Sequence, residues 1–267
     1  MVRGSGLVAG KRGLVMGVAN DHSIAWGIAQ ALHAHGAELA FSYQTDAIKR
    51  RVVPLAEKVG SSLVLPCDVA DPASLDQLFA VLAQEWGGLD FVIHAIAYSD
   101  KDELKGRFLD TTPENFTRTM QVSTYSLTAV TQRASRLMTE GGSIVTLTYL
   151  GAERVMPNYN VMGVAKAALE ASVRYLAADL GPIGIRMNAI SAGPMRTLAG
   201  SAIANARYVF RFNEANAPLR RNVTLGEIGG TALYLISELG SGVTGEVIHV
   251  DAGYHVVGMP GIPALEK

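Results

Sequence analysis

With 267 residues, 49% of them apolar, and a formal net charge of −1 at pH 7, the chain can bury a substantial core and is not disordered. The near-zero charge implies no broad electrostatic attraction to nucleic acid or anionic lipid. Its single cysteine, Cys67, excludes an intrachain disulfide; a reducing compartment fits, although an exported protein without disulfides would look the same.

Arg3, Lys11 and Arg12 near the start are followed by no continuous apolar stretch, so no secretory signal is expected. Nowhere does a run of about eighteen apolar residues suggest a membrane span. A soluble, cytoplasmic protein is the expectation.

Taken in order, short β-rich runs alternate with longer helical patterns. Leu14 to Met16 reads as a first strand, and small residues at Gly17 and Ala19 follow it. Ile24, Ile28 and Leu32 recur every four residues, so a helix is predicted from Ile24 to His35. A strand-to-helix turn of this kind lets backbone approach a pyrophosphate, which the free N–H groups near Ser23 and Ile24 would bind at the positive end of the helix dipole. Gly27 would permit close packing of helix on strand. The turn departs from G-x-G-x-x-G and from T-G-x-x-x-G-x-G, because a serine stands where a glycine is expected. A turn of small residues with no ligand is the alternative; its place between first strand and first helix favours the cofactor reading.

Leu39 to Tyr43 is a second strand, and its end is where an adenosine ribose is read in dinucleotide-binding folds. Gln44 offers a hydrogen bond to a hydroxyl but no charge to a 2′-phosphate, so NADH is expected over NADPH. Lys49, Arg50 and Arg51 read as a solvated helix face. After the third strand, Leu63 to Leu65, Asp68 is placed to bond an adenine amino group; Asp71, ahead of Pro72, suits a helix N-cap better. Phe91 to Ile93 is the fourth strand, His94 a packed core histidine, and Ile96 the mouth of the cleft.

The fifth strand, Ile144 to Leu147, leads into the most telling spacing. A tyrosine four residues before a lysine marks most dehydrogenases of this class, but Met162 stands four before Lys166. Tyr149 occupies the position, thirteen residues before Met162, where a serine is usual. Tyr159 lies seven residues before Lys166, about two helical turns, so both could share a face. Met162 would offer an adaptable apolar wall. A helix carrying Leu169, Val173, Leu176 and Leu180 is stopped by Gly181-Pro182. Ile185 to Ile190 and Val247 to Val250 complete seven strands. Strands separated by helices predict an α/β, Rossmann-type doubly wound sheet of seven parallel strands with helices on both faces, in a single domain. Met195 to Ala217 has no clean period; it reads as a lid over the carboxyl ends of the strands or, equally, as a structural helical pair.

Tyr149 to Arg154, Pro157 to Gly163, Ala165 to Ala167, Ser191 to Leu198 and Gly245 to Asp251 resemble the NADH-dependent enoyl-acyl-carrier-protein reductases of bacterial type II fatty acid synthesis. The resemblance runs from about Gly13 to Tyr254. It implies reduction of the 2,3 double bond of trans-2-enoyl thioesters on acyl carrier protein, with NADH as hydride donor. Tyr149, Tyr159 and Lys166 would be the catalytic residues, Lys166 also binding cofactor. Gly17, Ser23, Ile24, Gln44, Asp68, Val69, Ile96, Met195, Arg196, Thr197, Leu198 and Ala199 match cofactor contacts, and Ser99, Tyr149, Tyr159 and Met162 face substrate. Ala97 replaces a glycine found in some members, and Ala202 to Phe212 departs most from the pattern. A homotetramer is implied, and the apolar stretch from Val247 to Pro263 suits burial against another subunit. Arg196, Arg207, Arg211, Arg220 and Arg221 are candidates to meet the acidic carrier, although each alone reads as a solvated charge. A carbonyl reductase of the same fold would require the missing Tyr-x3-Lys, and a non-catalytic NAD-binding protein would not need Tyr159 with Lys166.

Overall fold

The computed structural model describes residues 6–198 and 206–261. Seven parallel strands form one sheet: β1 (Arg12–Met16), β2 (Glu38–Tyr43), β3 (Val64–Pro66), β4 (Phe91–His94), β5 (Gly142–Thr148), β6 (Ile185–Ala192) and β7 (Val247–Val250), in the order β3-β2-β1-β4-β5-β6-β7. The helices are α1 (Ile24–Ala34), α2 (Asp46–Lys58), α3 (Pro72–Trp86), α4 (Pro113–Met120), α5 (Ser126–Ala134), α6 (Asn160–Leu180), α7 (Ala206–Asn216) and α8 (Leu225–Ile236). A five-residue π-turn, Gln121–Tyr125, joins α4 to α5.

Alternation along the strands sorts the core into two layers, because successive side chains leave opposite faces. Val15, Phe41, Phe91 and Ile93 face α1, α2 and α8, while Leu14, Met16, Ala40 and Val92 face α3, α5 and α6. Both layers are buried, as parallel sheets require. Local chemistry sets the helix starts. The Asp71 carboxylate accepts from the Ala73 N–H ahead of α3, with Pro72 in the first turn, and Thr224 forms a capping box with Glu227 on α8.

One expectation is corrected. A Cβ on Gly27 would stand 2.6 Å from Leu225 Cβ, and one on Gly229 would stand 2.9 Å from the Gly27 carbonyl oxygen. Gly27 therefore lets α1 pack on α8, helix on helix, rather than on a strand. Because all strands run the same way, their carboxyl ends share one edge, and the order reverses between β1 and β4. Such a switch point is where open α/β sheets bind ligands.

Candidate active site

Gly17, Gln44, Asp68, Val69, Ile96, Ser99, Tyr149 and Met195 all follow the carboxyl ends of strands and so gather along that edge. Tyr159, Met162 and Lys166 reach it from the start of α6.

Gly17 has a φ of +97°, and a Cβ there would lie 2.0 Å from the carbonyl oxygen of Ala95. The loop after β4 thus demands glycine whatever binds in front of it. Ser23 precedes α1, and its Oγ accepts from the Ala19 and Asn20 N–H groups at 3.0 and 3.1 Å. It also donates to Asn20 Oδ1 at 3.3 Å. Side-chain bonds close this turn where other dinucleotide-binding turns use glycine. No side chain caps α1, so its first N–H groups suit an anionic ligand.

The Gln44 amide donates to Asp68 Oδ2 at 3.3 Å, joining the two residues expected to read ribose and adenine. Asp68 Oδ1 accepts from Ala70 N–H at 2.9 Å, while Asp71 takes the cap of α3 as expected. Lys49, Arg50 and Arg51 are exposed, with Lys49 Nζ 5.5 Å from the centre of the Tyr43 ring. Val69 and Ile96 are half-buried against the α3, α5 and α6 layer. His94 is the core histidine anticipated: its ring nitrogens bond Thr146 Oγ1 at 3.0 Å and Ser126 Oγ at 2.9 Å. Burial, with the positive charge of Lys166 nearby, pushes it down to about 3, so it is neutral.

Around the tyrosines the packing is close. The Tyr149 and Tyr159 rings meet edge to face with centroids 5.2 Å apart. Tyr159 and Met162 are buried together with Leu104, and Tyr149 and Met156 pack against them. A Cβ on Gly151 would come 2.4 Å from the Tyr159 ring, so this glycine makes room for it. Tyr159 sits just before α6 rather than on it, at φ −107°, between Asn158 and Asn160 with φ of 57° and 38°. The expected two-turn helical geometry is corrected accordingly: Met162 and Lys166 lie on the helix, and Tyr159 enters from the turn. Burial pushes both tyrosine hydroxyls upward, so each is a protonated donor at neutral pH.

Lys166 is 6% exposed and donates to the Leu147 carbonyl at 2.8 Å. Burial pulls its ammonium down to about 8, against the opposing pull of Glu170. Ser99 lies within a polar network, accepting from Thr119 Oγ1 at 3.0 Å and donating to Asn115 Oδ1 at 3.3 Å.

After β6, Met195 packs on the α1, α2 and α8 layer, and the Arg196 guanidinium stands 4.7 Å from the centre of the Phe210 ring. His22, Met195, Arg196, Phe210, Val223 and Leu225 line a cavity of about 220 Å³. Thr197 donates its N–H to the Met195 carbonyl at 2.9 Å, and Leu198 is exposed. Ala199 lies outside the described residues, as does the Ala202 end of the divergent stretch. Arg207 and Arg211 are exposed on α7, Arg221 is paired with Glu227 at 2.6 Å, and Arg220 bonds the Ala215 carbonyl.

Supporting residues escaped the sequence reading. Thr124, inside the π-turn, donates to the Ala165 carbonyl at 2.8 Å, and Ser123 bonds both Tyr98 N–H and C=O at 2.8 Å. Thr148 donates to Glu170 at 2.6 Å, and His249 bonds Glu153 at 2.7 Å. The one signal in the sequence is that Glu170 follows Lys166 by a helical turn. For Thr124 and His249 there is none, because their partners are distant along the chain.

A family model described as enoyl-(acyl carrier protein) reductase matches residues 17–255. Enoyl-acyl-carrier-protein reductase (NADH) 1 of Rhizobium meliloti is 62% identical over 99% of this chain and 97% of its own length. Among solved structures, an enoyl-acyl-carrier-protein reductase from Anaplasma phagocytophilum, in complex with NAD, is 57% identical, with a TM-score of 0.93 over 98% of both chains. The Bacillus cereus reductase, solved with NADP+ and indole naphthyridinone, is 53% identical with a TM-score of 0.93, covering 95% of this chain and 99% of its own. On this similarity the chain belongs to the enoyl-(acyl carrier protein) reductase family.

Proposed function

We propose that the protein reduces the 2,3 double bond of trans-2-enoyl thioesters on acyl carrier protein with NADH, the last reductive step of fatty acid elongation. The observation that carries this reading is the packing of half-buried Tyr149 on buried Tyr159, with Lys166 bonded two residues before Tyr149 and Met162 where a ketone reductase keeps its acid tyrosine.

The edge of the sheet fits the cofactor. Gly17, Ser23 and Ile24 would take the pyrophosphate on backbone N–H groups; Gln44, Asp68, Val69 and Ile96 the adenosine; Met195, Arg196, Thr197, Leu198 and Ala199 the nicotinamide side; and Lys166 the ribose hydroxyls. Gln44 brings no charge to a 2′-phosphate, which supports NADH. Bound NADH supplies the hydride that adds to the β-carbon of the enoyl chain. Tyr159, kept protonated by burial, donates a hydrogen bond to the thioester oxygen as negative charge gathers there. The Lys166 ammonium holds the ribose and adds positive potential to the same side. Tyr149 shapes the pocket against Tyr159, Met162 walls the acyl chain, and Ser99 meets the substrate from the loop after β4. A proton from solvent completes the α-carbon.

The chain acts as one NAD-binding domain in a cytoplasmic homotetramer, with a substrate-covering lid near residues 195–217, of which 199–205 lie outside the described residues. Exposed Val256 and Met259 near the carboxyl end suit a subunit contact. Among the described residues no helix is long and apolar enough to cross a membrane. Arg207 and Arg211 on α7 would receive the acidic carrier.

The test is NADH oxidation with crotonyl and longer 2-enoyl thioesters beside acetoacetyl thioester. Turnover of the enoyl substrates only is expected; turnover of the ketoacyl substrate alone would overturn the reading. Sedimentation velocity of the same preparation checks the tetramer.

A further inference from the structure

Two side chains one helical turn apart on α6 hold two consecutive residues of β5. Lys166 Nζ donates to the Leu147 carbonyl at 2.8 Å, and Thr148 Oγ1 donates to Glu170 Oε1 at 2.6 Å. The next residue along the strand is Tyr149. Glu170 is 7% exposed, a buried carboxyl to which the mechanism above gives no task. A buried charge is tolerated when it is paired and hydrogen-bonded. Thr148 supplies the hydrogen bond, and Lys166 stands four residues earlier on the same helix, at the spacing that puts two side chains on one face.

We propose that Glu170 is a positioning residue: held by Thr148 one helical turn from Lys166, its negative charge supports the positive charge of the lysine, while the Thr148 bond anchors this part of α6 to the strand end that presents Tyr149. This rests on the reading of Lys166 as the lysine that binds cofactor. The surrounding charges agree with it. Burial disfavours the Lys166 ammonium, and Glu170 is the group that favours it. His94, behind the lysine from β4, is neutral and already bonded to Thr146 and Ser126. Glu153 from the turn after β5, His249 from β7 and Arg174 from α6 face Glu170. Glu153 and His249 are bonded to each other at 2.7 Å. Burial, the largest influence on Glu170, raises its carboxyl, while the Thr148 bond, His249 and Arg174 lower it.

The experiment is NADH binding to the full-length protein by fluorescence titration from about pH 6 to about pH 10, spanning the lysine range. Wild type, Glu170→Gln and Thr148→Val are compared, with kcat/KM for crotonyl thioester measured in parallel. Glutamine keeps an oxygen to accept from Thr148 and removes only the charge. In Glu170→Gln the pH at which affinity falls should move down by about one unit, the size of effect a nearby opposite charge exerts. Thr148→Val should move it the same way by less. A Glu170→Gln profile that coincides with wild type, or that is lowered equally at every pH, overturns the inference, since a merely structural residue does the latter. Should Glu170→Gln fail to fold by circular dichroism, Thr148→Val decides in the same manner. A wild-type profile flat across this range overturns the lysine assignment as well, whereas a falling wild-type profile unmoved by Glu170→Gln strikes only this proposal.

Discussion

The turn after β1 and the segment from Tyr149 to Glu170 both begin at the carboxyl edge of the sheet but are built in opposite ways. In the turn, the Ser23 hydroxyl bonds only residues within four positions of itself. In the segment, Lys166 reaches back to Leu147, Glu170 to Thr148, Ala165 accepts from Thr124, and Glu153 is held by His249, 96 residues away. A turn that presents backbone N–H groups is specified by local geometry. A set of buried hydroxyls and charges has to be assembled by the whole sheet. Substitutions in the turn should therefore be felt as lost stability, and those in the segment as lost chemistry.

The largest effect that would sharpen this contrast is Tyr159→Phe. Steady-state kinetics should show kcat/KM falling by about 10²–10³, roughly 3–4 kcal/mol of transition-state stabilisation, with the melting temperature close to wild type. A comparable loss of folding stability would make Tyr159 a packing residue and break the distinction. On the other side, Gly17→Val forces a β-branched residue into a left-handed backbone and against the Ala95 carbonyl. Denaturant unfolding should show a loss of about 3 kcal/mol or more; native-like stability would mean that the loop after β4 yields.

Lys166 joins the two halves through pH. Its ammonium is lost as pH rises through about 8, so NADH affinity should weaken from there upward. Folding stability should run the other way. A lysine whose folded pKa lies below the unfolded 10.5 weakens folding at pH values under about 8. That cost is relieved between about 8 and 10.5, because there the unfolded chain holds more protons than the folded one. Subtracting the unfolding free energies of Lys166→Met from wild type across this window should reveal the rise; a slope of opposite sign would contradict the burial of the charge. The smallest expected effect is a control in a locally built element: Thr224→Ala, which breaks the capping box of α8, should cost about 1 kcal/mol by thermal or denaturant unfolding.

Much of the fold was legible because its signals are local. Short β-rich apolar runs located the strands, the Gly181-Pro182 stop ended α6 at Leu180, and Asp71-Pro72 opened α3. The family resemblance rested on Tyr149, Tyr159 and Lys166, which share one stretch of chain. What stayed hidden was the side each element turns to its neighbours. Gly27 read as a helix-on-strand contact, yet it faces Leu225, nearly two hundred residues later. Tyr159 read as helical, yet Asn158 and Asn160 adopt positive φ and deliver it from a turn.

From its sequence alone, the protein had determined a parallel seven-stranded sheet, a small-residue turn after the first strand and the spacing of two tyrosines and a lysine. Propensity, periodicity and short-range spacing act within a few residues and are readable there. Only the tertiary structure decided that Gly17 yields to Ala95, that Thr148 bonds Glu170 while Lys166 bonds the Leu147 carbonyl, and that His249 closes on Glu153. Those contacts exist because the sheet brings distant strand ends to one edge and burial then leaves each polar group few partners to choose from.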